Sequence, residues 1–474
     1  MALEAYLNER LLEKAGHTPT VCQRELFSTL SAFIADHDDD NWLMLVTGYA
    51  GTGKTSTLSA LVLLLKEMNR RHILMAPTGR AAKVLRGYAG VPAKTIHKQI
   101  YRQKSLQEIE GEFSIDMNKF TDTFFIVDEA SLINNASAGP SIFGSGNLLE
   151  DLFKYVRSNR GNKLILMGDP AQLPPVGMEC SPALDRDFLS RYCNRLYFSH
   201  LTSVVRQKKS SGILYNATVL RNEIENGDIS PFSLSVDGFD DVERTSGADM
   251  TESLSWAIDK YGLDEVVVLC RSNIRANRYN EGIRGRVLFK EERLAKGDKL
   301  MVVKNCYHFA EQSPDLDFIA NGDMCILEHI GHYEELYGFN FATARLSFPD
   351  YDNTEIVAKV ITDTLTSTEA ALSREQQRLL YENVAEDYGN IKTKKERLRA
   401  IREDKYYNAL QIKYATAITC HKSQGGQWKC VFIDNPFWKE ELTIDDKKWL
   451  YTAITRGVER VFFVNFRDGF FTDK

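Results

Sequence analysis

Three groups of residues in this chain have the types and spacing that polyphosphate chemistry needs. In GYAGTGKT, Gly48, Gly53, Lys54 and Thr55 satisfy G-x-x-x-x-G-K-[ST]. Glycines let the backbone curl so that successive N–H groups point at an anion, and the helix that follows adds its positive dipole end. Lys54 supplies a mobile charge to the β- and γ-phosphates, and the Thr55 hydroxyl completes a magnesium shell. Gly51, Thr52 and Ser56 fill out the cradle. Some seventy residues on, FFIVDE ends a buried apolar run in Asp128 and Glu129. Two acids there are costly unless a cation waits for them. A magnesium ion held with Thr55 answers that cost for Asp128 and leaves Glu129 to polarise an attacking water. The third group is GDPAQLPPVG, where Gly168 and Asp169 leave another apolar run and Gln172 is placed to sense a γ-phosphate. Pro174 and Pro175 stiffen the turn.

These groups need strands that end at one edge. The pattern predicts strands over 42–46, 72–76, 124–127 and 163–167, and a leucine-rich helix over 56–68 after the glycine loop. Taken alone, FFIVDE reads as a common strand terminus and GDPAQ as a strand-to-loop exit. Their position after a phosphate-binding loop turns them into candidates for magnesium and γ-phosphate contact.

A length of 474 residues predicts about two to four domains. No stretch approaches the roughly 18 to 20 apolar residues of a membrane span, and MALEAYLNERLLEK lacks a signal-peptide core, so a cytoplasmic enzyme is expected. The eight cysteines are scattered, with no Cys-x-x-Cys pair, and read as buried free thiols. A net charge of −6 argues against a nucleic-acid binder only weakly, because a local groove is invisible to a whole-chain sum.

In chain order, GYAGTGKT, APTGRAAKVL, TIHK, VDEAS, GDPAQLPPV, VVRQ, ATAITCHKSQGGQW and YTAITRG resemble the motif series of superfamily 1B DNA helicases, the RecD, Dda and Pif1 branch. The resemblance spans about residues 18 to 465. It implies an α/β fold of two tandem RecA-like P-loop domains, with ATP and Mg2+ in the cleft between them. It makes Gln23 an adenine-reading glutamine, for which a solvated helix face is the plainer alternative. Arg206 and Arg456 become the cations that reach the γ-phosphate from the second domain, a task suited to a planar, permanently charged guanidinium. It also implies single-stranded DNA and its junctions with duplex as partners, 5′ to 3′ translocation and a monomer. One departure, NNASAGPSIFGSGN at 134–147, leans the chain toward RecD-like or Dda-like members.

For the DNA track, the resemblance points to Pro77, Thr78 and Gly79 at the start of a helix, His97 in TIHK, and Thr419, His421 and Lys422 in ITCHKSQGG. Helix capping for Thr78 and ordinary loop roles for the rest are the plainer readings. Asn273 and Asn277 follow an apolar strand at 266–270 and suit the same track. Gly425 and Gly426 are expected to make the turn that couples nucleotide cleft to track. The division expected is a first domain over 1–200, with a strand-splitting pin within its insertion at 86–122, and a second over 201–290 and 408–474. Between them, 291–407 holds an antiparallel SH3-like barrel over 296–365 and two helices over 366–404 that project as an arm. The pin is placed at 101–120, with a helix over KSLQEIE as the alternative. Asn305 and Asn321 suit turns better than DNA.

Two other classes share the nucleotide cleft: an ATPase that remodels proteins, and a nucleic-acid-binding regulator switched by ATP. Neither accounts for APTGRAAKVL, TIH and ITCHKSQGG together. A nuclease is disfavoured, since no third carboxylate cluster stands outside the nucleotide motifs.

Overall fold

The computed structural model describes residues 2–103, 113–135, 143–203, 211–306, 319–439 and 441–472. Continuous apolar runs decide its two main sheets. Leu43–Gly48 and Lys163–Gly168 are buried at every position, as strands covered on both faces must be. They lie in a six-stranded parallel sheet ordered Ala93–Thr95, His72–Ala76, Phe124–Val127, Lys163–Gly168, Leu43–Gly48, Tyr197–Leu201. The strands that end in Asp128, Asp169 and the glycine loop are thus consecutive neighbours. Their carboxyl ends meet at one edge, where open α/β sheets bind ligands.

The second sheet has five parallel strands, ordered Ala417–Thr419, Val266–Cys270, Trp428–Asp434, Gly457–Val464, Val242–Thr245. The turn at Gly425 and Gly426 delivers the chain straight into Trp428–Asp434. Beside the first sheet, the helix after the glycine loop starts earlier than the pattern predicts, at Lys54, with Gly53 as its cap at φ +86°.

Between 299 and 414 lies a closed barrel of Lys299–Val302, Met324–Leu336, Phe339–Phe348, Thr354–Ile361 and Leu410–Tyr414. The last strand comes from beyond the helical arm, inside the stretch that pattern alone assigns to the second domain. It pairs with both Lys299–Val302 and Thr354–Ile361, and so removes the two edges that four strands would leave open. The arm is two helices, Arg374–Asp387 and Lys394–Glu403, but it does not project freely. Leu380, Val384 and Ile401 pack on Phe339, Phe341 and Ile361 of the barrel, since an apolar stripe must find cover.

A short hairpin pairs Tyr101–Gln103 with Phe113–Ile115, where the pin is expected. KSLQEIE falls outside the described residues. Phe143, in the 134–147 segment, bridges Phe113 and packs against Tyr101 and His97, so this part of the segment braces the hairpin's base. Six of the eight cysteines are buried. Among the described residues no helix is long and apolar enough to cross a membrane.

Candidate nucleotide and DNA site

The glycine loop is built by backbone that only glycine adopts without strain: Gly51 and Gly53 stand at φ +77° and +86°. Gly48 is required for another reason, because a Cβ there would lie 2.8 Å from that of Leu201. Thr52 is buried and donates to the Tyr49 carbonyl at 2.8 Å, which ties the loop to itself. Ser56 donates to the Gly53 carbonyl, and Thr55 is half-buried at the start of the helix. Lys54 Nζ reaches back over the loop to the carbonyls of Gly48 and Tyr49, at 2.5 and 2.9 Å, and lies 4.0 Å from Asp169 Oδ2.

Asp128 and Glu129 close the cleft from the neighbouring strand. Burial pushes both carboxyls above the usual carboxylate range. Against that push, Lys54 lowers Asp128, while Glu129 is lowered by Arg456 first and by Lys54 as well. Lys54 and Arg456, from opposite halves, thus both favour the charged form of Glu129. Glu129 also adopts a left-handed backbone, φ +55°, a conformation disfavoured for a side chain of its size, and its Oε2 has no partner among the described residues. A desolvated carboxyl pair facing a glycine cradle fits a cation–triphosphate ligand.

Arg456 is buried, with Nε donating to the Thr452 carbonyl at 3.1 Å and Nη1 to that of Gly426 at 3.2 Å. Its direction is thus set by its own half of the molecule. Arg206 lies outside the described residues. Gln172 is buried beside Asp169, and its Oε1 has no partner among the described residues. The loop that carries it is gripped from the second sheet: Leu173 N–H donates to Thr452 Oγ1 at 2.9 Å, Gln424 Nε2 to the Leu173 carbonyl at 2.6 Å, and Tyr451 Oη to Asp169 Oδ2 at 2.7 Å. Tyr451, Thr452 and Gln424 escaped notice in the sequence, although all three lie inside motifs quoted for other residues.

Gln23 is not on a solvated helix face. It is fully buried as the third residue of the helix Val21–Ala35, where it forms a capping box with Thr20, and its Nε2 lies 3.4 Å from the Thr52 carbonyl. The side chain thus abuts the glycine loop.

Comparison with known proteins matches the two halves separately and in order. An AAA domain model covers residues 31–230, and a UvrD-like helicase C-terminal domain model covers 414–464. The second match places a helicase model on the strands and helix that carry Gln424, Tyr451 and Arg456. The ATP-dependent RecD2 DNA helicase of Deinococcus radiodurans is 30% identical over 32% of this chain and 19% of its own length. An uncharacterized protein of Acanthamoeba polyphaga mimivirus is 24% identical over 89% of this chain and 95% of its own length. The chain thus spans nearly all of one relative and about a fifth of the other. A Bacteroides Pif1 helicase solved with ADP-AlF3 and ssDNA is 17% identical, covering 97% of this chain and 95% of that one, with a TM-score of 0.46.

The expected DNA residues fall into two groups. Asn273, Thr419 and Lys422 line one shallow pocket, together with Lys413, which the sequence reading missed. Burial lowers both lysines, Lys413 to about 8, and each lies in the other's vicinity. Lys413 Nζ donates to the Ser367 carbonyl at 2.6 Å, beside the Asn277 amide, and its remaining N–H groups and the Lys422 ammonium suit a phosphate. His421 is exposed beside them. Asn277 lines the pocket too, but its amide donates to the Thr366 and Ser367 carbonyls and so secures the base of the arm.

The second group lies at the helix Gly79–Ala89. Thr78 caps it by accepting from Ala81 N–H, and Pro77 is half-buried before it. Gly79 is buried under the barrel: a Cβ there would stand 2.7 Å from Tyr351 Oη and 2.8 Å from Asp323 Oδ1. Lys83 and Arg86 on the same helix pair with Asp350 and Asp352 of the barrel. His97 is half-buried against Phe143 and Tyr101. Asn305 accepts from Asn321 N–H at 2.6 Å, which gives the two asparagines a turn role.

Proposed function

We propose that this chain is an ATP-driven motor that moves 5′ to 3′ along single-stranded DNA and separates duplexes. The observation that carries this reading is the direct bonding between the halves at the cleft, from Thr452 and Gln424 to Leu173 and from Tyr451 to Asp169. Because the second half grips the Asp169–Leu173 loop beside the glycine cradle, nucleotide turnover can alter how the halves fit together. A strand lying across both halves would feel each change.

The first half, 1–200, would bind the triphosphate through Gly48, Gly51, Thr52, Gly53, Lys54, Thr55 and Ser56, with Gln23 beside the base. Thr55 and Asp128 would hold magnesium, whose charge offsets that of the phosphates. Glu129 orients and deprotonates the attacking water, a role its raised pKa and free oxygen suit. Gln172, Arg206 and Arg456 stabilise charge on the transferred phosphoryl group. The second half, 201–290 with 408–474, would hold the strand through Asn273, Thr419, His421 and Lys422, and the first through Pro77, Thr78 and His97; Gly79, covered by the barrel, drops out of the track. The barrel and arm of 291–407 form its insertion.

A fluorescent duplex with a single-stranded tail on either its 5′ or its 3′ end tests the reading. Unwinding of the 5′-tailed duplex alone, dependent on ATP, is expected. Equal unwinding of both, or none of either, would sink the directional claim or the motor.

A further inference from the structure

Tyr451 Oη makes two bonds to the opposite half: it accepts from the Ala50 N–H of the glycine loop at 2.9 Å and donates to Asp169 Oδ2 at 2.7 Å. Tyr451 and Asp169 are both buried, so the carboxylate cannot turn to water in place of the hydroxyl. Asp169 Oδ1 is already engaged by the Ala171 N–H at 3.0 Å. Oδ2 therefore stands between two donors, the Tyr451 hydroxyl across the cleft and the Lys54 ammonium 4.0 Å away on its own side.

We propose that Tyr451 is a positioning residue which, by bonding Asp169 when the two halves meet, keeps that carboxylate from drawing Lys54 out of the phosphate cradle. The inference rests on the reading of the cleft as an ATP site. An O–H···O⁻ bond is short and strong, and it satisfies the charge that would otherwise attract the ammonium. Removing it inside a desolvated cleft leaves an ion pair as the nearest remedy, because attraction between charges grows as the dielectric falls. Tyr451 lies on the helix Ile444–Ile454, one residue before the Thr452 that bonds Leu173 and five before Arg456. Its hydroxyl thus arrives with Arg456 when the cleft closes, and Lys54 is released to the nucleotide at the moment the transition-state cation is in place. Nothing in the step is covalent; Asp169 exchanges one hydrogen-bond donor for another.

The experiment compares the full-length chain with Y451F, D169N and the double variant, reading ATPase kcat and KM with saturating single-stranded DNA, and DNA affinity separately. Y451F is expected to lower kcat/KM for ATP about tenfold while DNA affinity stays within about twofold. The double variant is expected to recover most of that loss, running about as fast as D169N, because an uncharged amide cannot hold Lys54. A tyrosine that merely packs would give the same loss with or without Asp169. Y451F within about twofold of the unaltered chain, or a double variant no faster than Y451F, overturns the inference. Absence of DNA-stimulated ATP turnover in the unaltered chain would instead remove the reading beneath it.

Discussion

Gly425 in the second half packs against Thr78 in the first so closely that a Cβ on the glycine would stand 3.0 Å from the threonine hydroxyl and 2.8 Å from the Ala81 Cβ. Gln424, its neighbour, bonds the Gln172 loop, and Gly426 takes a hydrogen bond from Arg456. Three consecutive residues therefore touch the cleft and the start of the helix Gly79–Ala89 at once. Gly425 also stands at φ +74°, where any side chain adds strain of roughly 1–3 kcal/mol. Gly425→Ala should reduce the factor by which single-stranded DNA accelerates ATP hydrolysis. An unchanged acceleration would separate this turn from coupling.

Lys54→Ala should abolish ATP hydrolysis and unwinding while strand binding remains measurable. Full ATPase activity in that variant would overturn the phosphate assignment. Arg456→Ala should keep nucleotide affinity and lose turnover by roughly 10³-fold or more. Lysine at 456 should not restore it, since the planar fork that reaches both Thr452 and Gly426 is lost.

Lys413 and Lys422 should act through phosphate charge rather than through bases. Each alanine variant is expected to weaken single-stranded DNA binding for all sequences alike and to flatten the slope of log affinity against log salt by about 0.7. A salt titration by fluorescence anisotropy measures both. Weakening with the slope intact would assign these lysines to structure.

Burial holds His97 at about 4, below its ordinary value of 6.5. The unfolded chain therefore takes up a proton first as pH falls. Stability from this residue is complete above pH about 6.5 and is lost toward pH 4, with a loss of roughly 1–2 kcal/mol between pH 8 and 5. Urea denaturation at the two pH values should show that loss shrinking in His97→Gln. Equal losses in both proteins would show that other groups carry the acid sensitivity.

The phosphate-binding loop was legible in the sequence because its geometry is local: eight consecutive residues, with glycine where φ must be positive, specify a cradle whatever surrounds them. The same holds for Asp128 and Glu129, placed by the end of an apolar strand, and for the order of the motifs that resemble the helicase branch. Which residues meet across the cleft was not local. Tyr451 and Asp169 are 282 positions apart, and no pattern in either motif names the other. Lys413 joined the pocket of Thr419 and Lys422 only once a barrel strand delivered it there, and Gly79 was covered only once Asp323 and Tyr351 arrived from the barrel. A short motif determines its own backbone, whereas the partner of a side chain is chosen by how separate sheets pack, and that choice exists only in the folded molecule.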